Sequence, residues 1–124
     1  MKAVVTNLAP KAIGPYSQAI LSGANLYLSG QIGINPETQN LVQTGIEAET
    51  EQIMNNIEAV LLEARYNFTH VVKTTIYVTD MQDFDAVNSV YGKYFKGEYP
   101  ARSFVQVAAL PKGAHVEIEV LAVK

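Results

Sequence analysis

Helical periodicity appears twice in this chain, and nearly every other patterned stretch alternates. The first helical repeat puts Ile46, Ile53, Ile57, Val60, Leu61 and Ala64 on one stripe, with Glu49, Glu51, Asn55 and Glu63 largely off it. Thr44-Gly45-Ile46-Glu47 ahead of it has the form of a capping box, a hydroxyl at the cap and a carboxylate three residues on. The second repeat predicts a helix from about Asp83 to Lys96, capped by Thr79 or Asp80 and closed by Gly97. Its stripe is Phe84, Val87, Asn88, Tyr91 and Phe95.

Strands fill the remainder. A short valine-rich strand is expected at residues 2–6, followed by a Pro- and Gly-bearing loop from Ala9 to Pro15. Tyr16 to Ser22 and Asn25 to Gly30 read as a hairpin about Ser22-Gly23-Ala24-Asn25, and a loop then runs to about Thr44. Val71 to Thr79 alternates and is β-branched, as a central strand is. Residues 101–108 and 115–123 are two more strands, joined across Pro111 and Gly113 into a second hairpin. The order β-β-β-α-β-α-β-β predicts an α+β fold, a mixed β-sheet with two helices on one face. No helix remains for the other face, which a second copy of the sheet would cover.

Composition narrows the class of function. Hydrophobic residues are 48% of the chain and charged residues 17%. A charged share below the usual level of about 25% excludes disorder and suggests that surface is given to subunit contacts. The length of 124 residues predicts a single domain, 1–124. The absence of cysteine excludes disulfides, thiolate metal sites, iron–sulfur clusters and a cysteine nucleophile. A net charge of −3, with only two arginines, argues against a nucleic-acid partner. The uncharged runs fall short of the roughly 18 apolar residues of a spanning helix, and Met1-Lys2-Ala3-Val4-Val5 is unlike a signal peptide. The expectation is a soluble, cytoplasmic protein with no membrane partner.

A few polar residues do not fit their surroundings. Arg102 opens a half-apolar strand, either as a salt-bridged or snorkelling edge residue or as an anion site. Glu117 and Glu119, in Val116-Glu117-Ile118-Glu119-Val120, share one face, either solvated at an edge or turned to a cleft as a proton carrier. Asn88 interrupts an apolar stripe, where an amide without partners costs about 1–3 kcal/mol; it is a core amide or a ligand contact. Tyr16 follows the stiff Gly14-Pro15 turn, and Ser29-Gly30-Gln31 ends a strand with a glycine that lets a backbone come close to a ligand. His70 and His115 stand alone, so no metal site is expected. Gly30-Gln31-Ile32-Gly33 lacks the Lys-Ser/Thr of a phosphate loop, and no serine sits in a nucleophile elbow. An enzyme of these parts binds an anion with an arginine and moves protons with a glutamate, using no cofactor.

Several segments, in order and at matching spacing, carry a family resemblance: Ala12-Ile13-Gly14-Pro15-Tyr16-Ser17-Gln18, Ser29-Gly30-Gln31-Ile32, Val71-Val72-Lys73-Thr74-Thr75, Asp83-Phe84 with Val87-Asn88 and Tyr91, Pro100-Ala101-Arg102-Ser103, Leu110-Pro111-Lys112 and Val116-Glu117-Ile118-Glu119. Over nearly its whole length the chain resembles the RidA (YjgF) family of reactive-intermediate deaminases. The resemblance implies a chorismate mutase-like subunit, a homotrimer with a central barrel-like core, and ligand pockets in the clefts between subunits. It implies cofactor-independent hydrolysis of enamines and imines such as 2-aminoacrylate, 2-iminobutanoate and 2-iminopropanoate to 2-ketoacids and ammonia. These intermediates are released by pyridoxal-phosphate dehydratases. By position, Arg102 is expected to clamp the substrate carboxylate, Glu117 to handle the water and the departing nitrogen, and Tyr16, Ser29, Gly30 and Asn88 to line the pocket. Two positions depart from the family pattern. Phe104 stands where many relatives have cysteine, and the glycine usual after the first helix is replaced near Arg65-Tyr66. The alternative functions are a non-catalytic, small-carboxylate-binding regulator and an RNase or translation-inhibitor-like activity.

Overall fold

The crossover between two parallel strands decides how this sheet is threaded. The computed structural model describes residues 1–124. Its strands are β1 (Lys2–Val4), β2 (Ala19–Ser22), β3 (Asn25–Ile32), β4 (Ile34–Asn35), β5 (Asn40–Leu41), β6 (Val71–Val78), β7 (Ala101–Gln106) and β8 (Val116–Val123). Helix α1 (Ile46–Glu63) lies between β5 and β6, and α2 (Phe84–Tyr91) between β6 and β7. β6 and β7 pair in parallel, which requires a long crossover, and α2 supplies it. All other pairs are antiparallel, so the sheet is mixed, in the order β1-β2-β3-β8-β6-β7. β4 and β5 form a separate two-residue ladder.

The last strand therefore does not fold back on β7 as the expected second hairpin. β8 inserts between β3 and β6, in the middle of the sheet. This placement answers one open reading: Glu117 and Glu119 are not on an edge strand. Alternate β8 residues, Val116, Ile118, Val120 and Ala122, are buried against the helices. They meet Ile53, Ile57 and Leu61 of α1 and Val87 and Tyr91 of α2 in one core.

Local chemistry sets the element ends, with several departures from expectation. The β2–β3 hairpin closes on a two-residue loop in which Gly23 takes the left-handed conformation, φ 60°. β2 begins at Ala19, leaving Tyr16 in the loop, and β3 runs past Gly30 to Ile32. The Thr44 capping box does not form: Gly45 is the N-cap and no side chain closes the end. Asp80 does cap, but its carboxylate accepts from Gln82 N at 2.9 Å to start a 3-10 turn, Met81–Asp83, ahead of α2. α2 ends at Tyr91, short of Gly97, and gives way to a second 3-10 turn at Gly92–Tyr94. At the end of α1, Arg65 adopts φ 64°, with Tyr66 N donating to Leu61 O and Arg65 N to Leu62 O. That is a Schellman ending, the place where a glycine is usual.

Candidate active site

Residues paired directly across a ladder share a face of the sheet, so register alone locates the polar misfits. Glu117 pairs with Ile32 of β3 and Tyr77 of β6, and Tyr77 with Val105 of β7. Arg102 pairs with Thr74, and Thr74 with Val120, both on the helix-covered side. Arg102 and Glu117 therefore lie on opposite faces of one sheet.

The Glu117 side holds a cavity of about 420 Å³ between the end of β3, the start of β8 and two loops. Tyr16, Ser29, Gly30 and Glu117 all line it, with Lys11 and Lys112. Gln18 fixes the N-terminal wall. Its buried amide accepts from Thr6 N at 2.8 Å and donates to Pro10 O at 2.8 Å, pinning the loop that carries Tyr16. Ser29 Oγ donates to Ser17 O at 2.6 Å and ties the same loop to β3. Irregular pairing between Leu28 and Gln31 brings Gly30 over Glu117. A Cβ at position 30 would lie 2.8 Å from Glu117 Cδ, so only glycine permits this approach.

The Glu117 carboxyl has no side-chain partner and is half-buried. Burial first, and the charge of Glu119 second, push its pKa up from the ordinary glutamate value. Glu119 is engaged: Tyr77 Oη donates to its Oε1 at 2.5 Å, and that bond, with burial and the two glutamates, pushes the phenol up to about 12.

Arg102 stands at a separate cavity, of about 370 Å³, with Asn88, Tyr91, Gly92, Tyr99 and Pro100. Its Nη1 donates to Asn88 Oδ1 at 2.7 Å, which gives the helix amide its partner. The guanidinium carbon lies 5.1 Å from the Phe104 ring centroid and 5.2 Å from that of Tyr91, within cation–π range. The chain's one contact of salt-bridge geometry is His115 Nδ1 with Glu49 Oε1, so Arg102 has no carboxylate partner and remains open to an anion. Phe104 packs edge-on against Phe84, with ring centroids 4.7 Å apart.

One chain thus brings together Tyr16, Ser29, Gly30 and Glu117 on one side and Asn88 and Arg102 on the other. It does not bring the two groups together. Sequence reasoning missed the supports: Gln18, and two buried polar residues of α1, Glu49 and Asn56. Glu49 departs from its expected place off the apolar stripe, and His115, expected to stand alone, is bound to it. No cluster of His, Cys, Asp and Glu suited to a metal ion is present.

A family model described as "Endoribonuclease L-PSP" matches residues 6–124. The chain is 51% identical to "Protein DfrA" of Myxococcus xanthus, over 98% of this chain and 95% of that protein. It is 47% identical to the human "2-iminobutanoate/2-iminopropanoate deaminase", over 99% of this chain and 90% of the human protein. The crystal structure of a putative endoribonuclease from Thermotoga maritima superposes with a TM-score of 0.98 at 49% identity, covering 100% of this chain and 98% of that one.

Proposed function

The chain belongs to the endoribonuclease L-PSP family, that is, RidA/YjgF, with relatives named imine deaminases, and from that premise we propose that it hydrolyses reactive enamines and imines. Its substrates are 2-aminoacrylate, 2-iminobutanoate and 2-iminopropanoate, its products 2-ketoacids and ammonia. The outcome is protection of pyridoxal-phosphate enzymes from these intermediates.

The observation that carries the reading is the unpaired, half-buried Glu117 carboxyl held against Gly30 in a cavity. A glutamate whose pKa is raised is a stronger base than an ordinary carboxylate and can both take and return a proton, a contribution of roughly 10²–10⁴-fold. Water adds through oxygen to the imine carbon while Glu117 takes its proton. The carbinolamine nitrogen takes that proton back. As the C–N bond breaks, the hydroxyl proton passes to Glu117, the carbonyl of the 2-ketoacid forms, and the departing ammonia takes the proton from Glu117 and leaves as ammonium. The protonated imine is already electrophilic, so the reading needs no cofactor.

The substrate carboxylate belongs on Arg102, through two parallel charge-assisted hydrogen bonds. Because Arg102 and Glu117 lie on opposite faces of one sheet, we assign the complete site to the junction of two copies, in a homotrimer. The uncovered sheet face supports that assembly: Tyr27 and Val105 are 48% and 39% exposed there.

The testing experiment supplies imine from threonine with threonine dehydratase and follows 2-ketobutanoate and ammonia. Acceleration by the protein is expected, and its absence would sink the proposal. A second reading, a carboxylate-binding regulator, is favoured by the Arg102 cavity taken alone. It predicts binding of small 2-ketoacids without turnover. An RNase reading fits poorly with a net charge of −3. No helix is long and apolar enough to cross a membrane, and a cytoplasmic location stays part of the proposal.

A further inference from the structure

Glu49 is a buried carboxylate that the proposed chemistry leaves unused. It stands in the first turn of α1 and is 2% exposed. One oxygen accepts from His115 N at 2.7 Å and Val116 N at 3.2 Å, and the other meets His115 Nδ1 at 2.9 Å. Those backbone groups lie where β8 enters the sheet, just before Glu117. Val116 is fully buried, so without Glu49 its N–H would have no ready substitute.

The same residue also reaches the opposite wall of the cavity. A Cβ at Gly33 would lie 2.8 Å from Glu49 Cγ and 2.9 Å from its carbonyl oxygen. Gly33 separates Ile32 and Ile34, both cavity residues. Further along α1, Asn56 Nδ2 donates to the carbonyls of Ile32, at 3.3 Å, and Ile34, at 2.9 Å. A buried polar stripe of α1 thus grips both walls between which Glu117 sits.

We infer that Glu49 is a positioning residue for Glu117, its carboxylate holding the backbone at the start of β8 so that the Glu117 carboxyl stays fixed against Gly30. The inference rests on the role proposed above for Glu117. Around Glu117 stand Glu119 on its own strand, Tyr77 on β6, and Lys11, Tyr16 and Lys112 on the loops. Asp83 and His115 are the titratable groups near Glu49, with Asp80 beside Asp83. Loosening the start of β8 admits water to Glu117 and lowers its pKa toward the ordinary value.

The experiment compares Glu49→Gln, Glu49→Asp and Glu49→Ala in the full chain. It reads kcat and KM for 2-iminopropanoate at 25 °C, and the titration of the Glu117 carboxyl by carbon-13 NMR, assigned by its loss in Glu117→Gln. Gln preserves the acceptor oxygen and a nitrogen facing His115, and should stay within threefold of wild type in kcat. Ala should lower kcat by roughly 10- to 100-fold with KM within twofold, as a displaced catalytic group does. Its Glu117 titration should move down in pH. Asp keeps the charge but retracts it, so it should show the same changes in part, and it decides the matter should Ala not fold. Unchanged kcat and unchanged Glu117 titration in the folded Asp or Ala variant would overturn the inference. If wild type hydrolyses no imine, the deaminase reading fails, while the titration still decides whether Glu49 positions Glu117.

Discussion

Glu117 carries a stability cost that its proposed role explains. Its native pKa lies above the ordinary value of 4.5, so the folded state holds the proton more tightly than the unfolded chain does. The stability linked to it is fully present below pH 4.5 and is lost as pH rises through the raised value. Glu117→Gln has no such loss. The variant should melt at or above the wild-type temperature at pH 7, the difference closing below pH 4.5, while imine turnover falls by roughly 10²–10⁴-fold. Melting curves at both pH values, beside a ketoacid assay, check the two halves together. Arg102→Lys probes the other cavity. Lysine keeps the charge but not the planar fork, so kcat/KM should fall by roughly 30- to 1,000-fold, about 2–4 kcal/mol, in a folded protein. A folded variant with a near-normal rate would remove Arg102 from the carboxylate role. Both residues are legible in the sequence because a charge in an alternating apolar strand needs a reason. Glu49 is missed although positions 49, 53 and 57 share one helix face, because a carboxylate in a helix is read as solvent-facing while this one is buried. Gln18 has no such signal, because its partners are backbone groups of a loop whose path the sequence does not encode locally.

At the scale of elements, existence and type follow from periodicity, while ends and neighbours follow from contacts distant in sequence. Both long helical stripes and the β2–β3 hairpin are visible because their partners are near in the chain. The insertion of β8 between β3 and β6 is not, since a loop with Pro111 and Gly113 suits a hairpin equally well. The Thr44 box fails for a local reason: Gly45, at φ 124°, takes the cap position itself. The end of α1 offers a direct test. A non-glycine residue in the left-handed conformation costs about 1–2 kcal/mol, partly offset by the chain entropy that glycine loses on folding. Arg65→Gly should therefore stabilise by about 0.5–1 kcal/mol and raise Tm by a few degrees. Imine turnover should be unaffected, because Arg65 lines neither site cavity. A lower Tm in calorimetry would show that the arginine side chain contributes more than its backbone costs.

At the scale of the molecule, one sheet face bears the helices and the other lies open, with Ile20, Tyr27, Leu121 and Val105 among its residues. The count of helices against strands in the sequence already exposes that imbalance. The division of the site between two faces is not legible there, because spacing along a strand gives the side a residue takes but not which side its neighbours share. In a homotrimer the open faces pack together, and the mass in solution should be about 40 kDa, three times the 13.5 kDa chain. A monodisperse monomer at micromolar concentration would contradict the assembly. The most direct test mixes two inactive variants, Arg102→Ala and Glu117→Gln, refolded together in equal amounts. If one copy supplies Arg102 and its neighbour Glu117, every mixed trimer with cyclic symmetry regains a single intact site, and total imine turnover should recover to about a quarter of wild type. No recovery above that of the separate variants, in a sample shown by native mass spectrometry to contain mixed trimers, would place both residues' work within one chain and contradict the shared site.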